Sequence, residues 1–322
     1  MMHRVMIQQN SKIMLIQKFT SLIIIGLLTH ALGTRAQLQK TDGKQALAVN
    51  TPTRYINTAN SRIAYRTFGR GAPMILCNRL RGILDTWDPA FLDHLAKNNT
   101  LYIFDYPGIG LSTGKLAPTM AEVANDVKNL ATALKIKKFN LLGWSYGGAV
   151  AQSFTAHYPE MVAHLILIGA NPPGKNNQPV EQAFLDAAFK PVNDLQDEQV
   201  LFFEPASAKS VAAAKRSHQR IASRTKDLSQ MVPPDKFGDY FKGIGDYQQD
   251  ANQSREKLAD TKVPIFILMG DHDPSCPVEN WYPIIRKWKT ANLLIIPQSG
   301  HGVQHEYPGL SAQYIQLFIT RP

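Results

Sequence analysis

Phe139-Asn140-Leu141-Leu142-Gly143-Trp144-Ser145-Tyr146-Gly147-Gly148-Ala149-Val150-Ala151 is the stretch on which the fold turns. Its first half is a short apolar run of the kind that forms a strand buried on both faces, and its second half is small and helix-compatible. Between them lies Gly-x-Ser-x-Gly, in which the glycines permit a sharp turn and lift Ser145 above the strand. The pentapeptide alone is weak, since chance supplies about 0.1 matches in a chain of this length. A second match, Gly110-Leu111-Ser112-Thr113-Gly114, makes context decisive. Ser112 follows a Pro/Gly loop and leads to Pro118 with no immediate helix, so it reads as structural, whereas Ser145 reads as a nucleophile.

Working outward, apolar runs alternate with helical patterns, which builds a mostly parallel sheet covered on both faces. Strands are expected over 62–68, 73–78, 101–105, 139–144, 164–169, 264–270 and 292–297. A helix from Thr119 to about Ile136 starts at a Thr119/Glu122 capping box, and another ends the chain from Pro308. The alternation stops between Pro172 and Lys262 in a stretch rich in Ala, Gln, Lys and Asp with helical patterning. It reads as a helical cap over the sheet's carboxyl edge, where open α/β sheets bind ligands. The expected organisation is a signal peptide at 1–36, a core at 37–174 and 263–322, and a cap or lid at 175–262.

The signal reading rests on Lys12 and Lys18 ahead of the apolar run 22–28, with Thr34-Arg35-Ala36 at the cleavage point. The run breaks at Thr29-His30, short of the ~20 residues that a membrane span needs. A secreted or periplasmic protein without a stable membrane anchor is therefore expected. Of the net charge of +10, four positive charges (Arg4, Lys12, Lys18, Arg35) lie in that segment. The other basic residues are scattered, with no basic run interleaved with aromatics, which argues against nucleic acid as a partner. Cys77 and Cys276 make no disulfide framework and read as buried thiols.

A serine nucleophile needs a base, and the base needs a carboxylate to hold its tautomer. Of nine histidines, His301 sits on a loop after the strand 292–297. His305, four residues on, reads as helix surface. For the acid, Gly270-Asp271-His272-Asp273 offers two candidates at the end of the strand 264–270. Asp273 lies deeper in the loop and can reach a neighbour, while Asp271 more simply caps the turn.

These motifs resemble the α/β-hydrolase fold superfamily, in the branch with a helical cap. Asp105-Tyr106-Pro107-Gly108-Ile109-Gly110-Leu111-Ser112 is similar to its Asp-x-x-Gly-x-Gly-x-Ser loop, Gly270-Asp271-His272-Asp273 to its acid turn, and Gly300-His301 with Glu306 and Pro308 to its ending. The resemblance implies an eight-stranded, mostly parallel sheet, no cofactor or metal, and hydrolysis of an ester or related acyl bond of a small molecule through Ser145, Asp273 and His301. Aligned on Trp87, the family's His-Gly turn is replaced by Asn78-Arg79, so the oxyanion hole would use the amides of Tyr146 and Leu80. Trp144 and Arg79 are expected to touch substrate, Arg79 or Arg81 through an anionic group. Perhydrolase or C–C bond hydrolase chemistry on the same residues, or ligand binding without catalysis, are the alternatives; an aspartate-nucleophile dehalogenase or epoxide hydrolase is disfavoured because residue 145 is Ser.

Overall fold

The structure is a computed structural model that describes residues 47–321, so the signal peptide expected at 1–36 lies outside the described residues. Eight strands form one sheet: β1 (Arg54–Asn57), β2 (Arg62–Gly69), β3 (Ala72–Cys77), β4 (Asn99–Phe104), β5 (Phe139–Trp144), β6 (Val162–Ile168), β7 (Ile265–Gly270) and β8 (Ala291–Ile296). Their order is β1-β2-β4-β3-β5-β6-β7-β8. The β1/β2 and β2/β4 pairs are antiparallel, and every pairing from β4 to β8 is parallel. Seven strands fall where the apolar runs place them. The eighth, β1, has no such run: Arg54, Tyr55 and Asn57 are exposed, because an edge strand on this rim has little to bury.

Among the described residues, twelve α-helices accompany the sheet: α1 (Leu47–Asn50), α2 (Pro89–Leu95), α3 (Met120–Ala133), α4 (Tyr146–His157), α5 (Gln182–Ala188), α6 (Leu195–Phe202), α7 (Ala208–Ala222), α8 (Phe237–Gln249), α9 (Ser254–Asp260), α10 (Tyr282–Ile285), α11 (Val303–Glu306) and α12 (Pro308–Ile319). The pleat of β5 feeds two cores. Leu141 points to the layer holding Val123 and Val127 of α3, Phe154 of α4 and Leu258 of α9. Leu142 points to the opposite layer, with Phe91 and Leu92 of α2 and Ile315 and Phe318 of α12. Burial on both faces is why β5 and β7 are buried at every position and why their sequences are continuous rather than alternating.

α3 starts as its sequence dictates. Thr119 Oγ1 accepts from the Glu122 amide at 3.3 Å, one of the donors left over at any helix start.

Helices α5 to α9 lie between β6 and β7, with no strand among them. α5, α6 and α7 pack on one another, α8 crosses α3 and α4, and α9 lies against α4 in the core layer. Buried polar ties fasten this segment to the rest. Arg220 Nε donates to Asp88 Oδ1 and Oδ2 at 2.9 and 3.0 Å, and Ser217 Oγ donates to Asp88 Oδ2 at 2.8 Å. Ser229 Oγ donates to Asp105 at 2.5 Å. Arg224 Nη1 donates to the Ala48 and Val49 carbonyls at 3.2 and 2.7 Å, and its Nη2 to Thr51 O at 3.0 Å, which holds α1 against the inserted helices. Among the described residues no helix is long and apolar enough to cross a membrane.

Candidate active site

β5 ends at Trp144 and α4 begins at Tyr146, so Ser145 must reverse the chain within one residue. It does so at φ 57° and ψ −119°, a conformation that costs a side-chain-bearing residue on the order of 1–3 kcal/mol. The flanking glycines allow the crossing. A Cβ on Gly143 would run into the carbonyl oxygen of Gly147, and one on Gly147 into that of Cys77. The Gly-x-Ser-x-Gly pattern is therefore a space requirement of strand and helix meeting this closely. Ser112, in the second match, is buried, accepts from the Ala64 amide at 2.9 Å and donates to Asp105 O at 2.8 Å, which makes it a structural brace.

The loop after β7 carries Asp273, buried, with its Oδ1 accepting from the amides of Ser275 (2.9 Å) and Cys276 (2.7 Å). His301 Nδ1 lies 2.9 and 2.8 Å from the two carboxylate oxygens, and the imidazole is 1 % exposed. A carboxylate only accepts, so Nδ1 donates to it, and in the neutral imidazole the lone pair is then on Nε2, where a base needs it. Asp271 instead accepts from the Ser299 amide at 3.3 Å and braces the turn. Ser299 Oγ donates to Glu306 Oε2 at 2.9 Å, which holds the His301 loop from its far end.

Ser145 and His301 line one narrow cleft, together with Arg79 and Leu80 after β3 and with Phe184, Leu201 and Phe202 from the inserted helices. As the first residue of α4, Tyr146 has an amide with no intrahelical acceptor. In the turn after β3, the Arg79 amide donates to Asn78 Oδ1 at 2.9 Å and the Gly82 amide to Arg79 O at 2.9 Å, so the bonds that close the turn leave the Leu80 amide out. Arg79 fits where a glycine is usual because the left-handed residue here is Arg81, at φ 59°. Arg81 is used structurally: Nη1 donates to the Ala188 and Lys190 carbonyls at 2.6 and 2.9 Å, and Nη2 to Pro191 O at 3.0 Å.

Two sequence readings need correction. Trp144, expected to touch substrate, is fully buried below the cavity, because the last residue of β5 still has sheet and helix on both sides. Its Nε1 donates to His301 O at 3.0 Å, so the indole holds the His301 backbone rather than a ligand. His305, expected on a helix surface, is 2 % exposed, its ring is 4.6 Å from that of Trp144, and its Nε2 accepts from the Asp88 amide at 3.2 Å. Burial pulls the His305 imidazole down to about 4, against the attraction of Asp88. The Asp88–Arg220–Ser217–His305 cluster has no motif, since it exists only once α7 docks.

Asp273, Cys276 and His301 bring three ligand-type atoms within 4.8 Å of one another. Burial pushes the Cys276 thiol well above its ordinary range, and the other two groups spend their facing atoms on each other, so the trio is a hydrogen-bonded unit and a poor metal centre. Burial likewise raises the Cys77 thiol to about 12; both cysteines are free and buried.

Residues 72–308 match the family model of the alpha/beta hydrolase fold. The chain belongs to the α/β-hydrolase fold family. An alpha/beta hydrolase fold protein from Chitinophaga pinensis superposes with a TM-score of 0.77 at 27 % identity, covering 85 % of this chain and 99 % of that one. The pimeloyl-[acyl-carrier protein] methyl ester esterase of Pectobacterium carotovorum is 25 % identical over 71 % of this chain and 87 % of its own length. The serine hydrolase BPHL of Homo sapiens is 25 % identical over 79 % and 83 %. This α/β-hydrolase is thus an enzyme of a family whose relatives include a methyl ester esterase and a serine hydrolase.

Proposed function

We propose that this α/β-hydrolase cleaves an ester or related acyl bond of a small molecule through a Ser145–His301–Asp273 triad. The observation that carries the reading is the buried Asp273–His301 pair, with its free Nε2, on the same cavity as a serine held at φ 57°. Ser145 Oγ attacks the carbonyl carbon as His301 Nε2 takes its proton; Asp273 keeps the imidazole in the tautomer that permits this and stabilises the imidazolium. The amides of Tyr146 and Leu80 stabilise the oxyanion, His301 returns the proton to the leaving alkoxide, and water then releases the acyl group by the same route. The methyl ester esterase among the relatives supports an ester as one bond of this class.

The test is a 4-nitrophenyl ester panel with a fluorophosphonate label. Ser145→Ala is expected to lose at least about 10⁴-fold in kcat and all labelling while melting as a folded protein. Undiminished turnover in that variant would remove the triad. Product analysis with and without hydrogen peroxide separates ester hydrolysis from the perhydrolase or C–C cleaving chemistry that the same groups support.

A further inference from the structure

Among the described residues, Arg79 is the one cation on the cavity wall whose donors are not used up. Its Nη1 donates to Leu80 O at 2.8 Å, but its Nε is buried with no hydrogen-bond partner, and it takes part in no ion pair among the described residues. The guanidinium carbon sits 4.5 Å from the centre of the Phe202 ring and 5.3 Å from that of Trp144, so it packs on both rings. Arg81 is spent on three carbonyls, and Glu198, whose charge reaches Arg79, is bonded to His218 Nδ1 at 2.9 Å. Asp273 lies behind His301 and is committed to it. Burial, and behind it the like charge of Arg81, lower the guanidinium to about 10, so it stays charged at neutral pH while lacking a counter-ion. A half-buried cation with no anion beside it and an unpartnered buried Nε marks a place where an anionic ligand would be favourable.

We propose that Arg79 receives an anionic group of the substrate, so that the enzyme acts on esters carrying a carboxylate near the scissile carbonyl. The planar fork of a guanidinium suits a carboxylate, and its place in the turn that offers the Leu80 amide puts that contact beside the reacting carbonyl. The apolar walls, Leu201, Phe202 and Phe184, would take the methylenes between the two groups. The position of the scissile bond rests on the acyl-hydrolysis reading given above.

The experiment compares 4-nitrophenyl hemisuccinate, hemiglutarate and hemiadipate with the neutral 4-nitrophenyl esters of equal chain length. One chain length at least is expected to be preferred over its neutral partner by about tenfold or more in kcat/KM. In Arg79→Gln that ratio is expected to collapse towards one, with Arg79→Lys between. A wild-type ratio near one at every length, or a preference that survives in Arg79→Gln, overturns the proposal; the second result is what a purely space-filling arginine between Trp144 and Phe202 would give. A second arm needs no turnover. Calorimetric binding of monomethyl glutarate to Ser145→Ala is expected to be at least tenfold tighter than that of methyl pentanoate, and to lose this advantage in Ser145→Ala/Arg79→Gln. Equal binding of the two ligands sinks the proposal. Absence of both hydrolysis and fluorophosphonate labelling in the wild type sinks the hydrolytic reading instead, with the binding arm still deciding the anion site.

Discussion

Ser145 joins two demands that conflict. Its hydroxyl must stand clear of the sheet, and the backbone that lifts it there sits in a region that only glycine occupies freely. Stability and function should therefore separate at this position. Ser145→Gly is expected to be more stable than Ser145→Ala by about 1 kcal/mol in urea unfolding, because glycine relieves the φ strain while alanine keeps the Cβ; part of the relief is offset by the looser unfolded chain. Equal stabilities of the two variants would show that the turn is unstrained. The position of this serine was legible because a tight turn needs glycines at fixed places, and Asp273 and His301 were legible because each follows a strand that an apolar run announces. Trp144 was misread for a related reason. Its place next to the nucleophile is visible in sequence, but the face of the sheet on which its side chain falls depends on the pleat, which the run of buried residues does not reveal.

At the scale of elements, α7 is tied to the core through one fully buried carboxylate. Asp88 caps α2 by accepting from the Ala90 amide at 2.9 Å, and it also receives Ser217 and Arg220 of α7. Removing Arg220 leaves that carboxylate buried with its main counter-charge gone. Arg220→Met is expected to lose about 2–3 kcal/mol, and the double variant Asp88→Asn/Arg220→Met to recover more than half, a coupling measurable by a double-mutant cycle in urea. Additive losses would mean that the pair does not act as a unit. None of this was visible in the sequence. The helical pattern of 175–262 shows that helices form there, but α7 meets α2 across more than a hundred residues of chain, and neither segment's periodicity encodes the other's position.

Over the whole molecule, buried titratable groups oppose one another in acid. Burial pushes the Asp105 carboxyl up to about 6, although the amides of Leu111 and Leu84 and the Ser229 hydroxyl pull it down. The native state therefore holds this proton longer than the unfolded chain, and the stability it lends is lost as pH rises from about 4 to 6. His305, pulled down to about 4, has the opposite sign: the unfolded chain binds its proton from about 6.5 downward, and stability is lost as pH falls through that window. Relative to the wild type, His305→Gln is expected to gain about 2–3 kcal/mol on going from pH 7 to pH 4.5, read from urea midpoints. A difference between the two proteins that does not change with pH would show that His305 stays solvated.

The clasp of Arg224 on the carbonyls of Ala48, Val49 and Thr51 sets a limit on how far the amino end can be shortened. Residues 48–51 are part of the folded body, and they hold down helices whose own sequence lies far along the chain. Shortening the chain past residue 47 would strip away carbonyls that Arg224 grips, and the helices over Ser145 would lose a fastening.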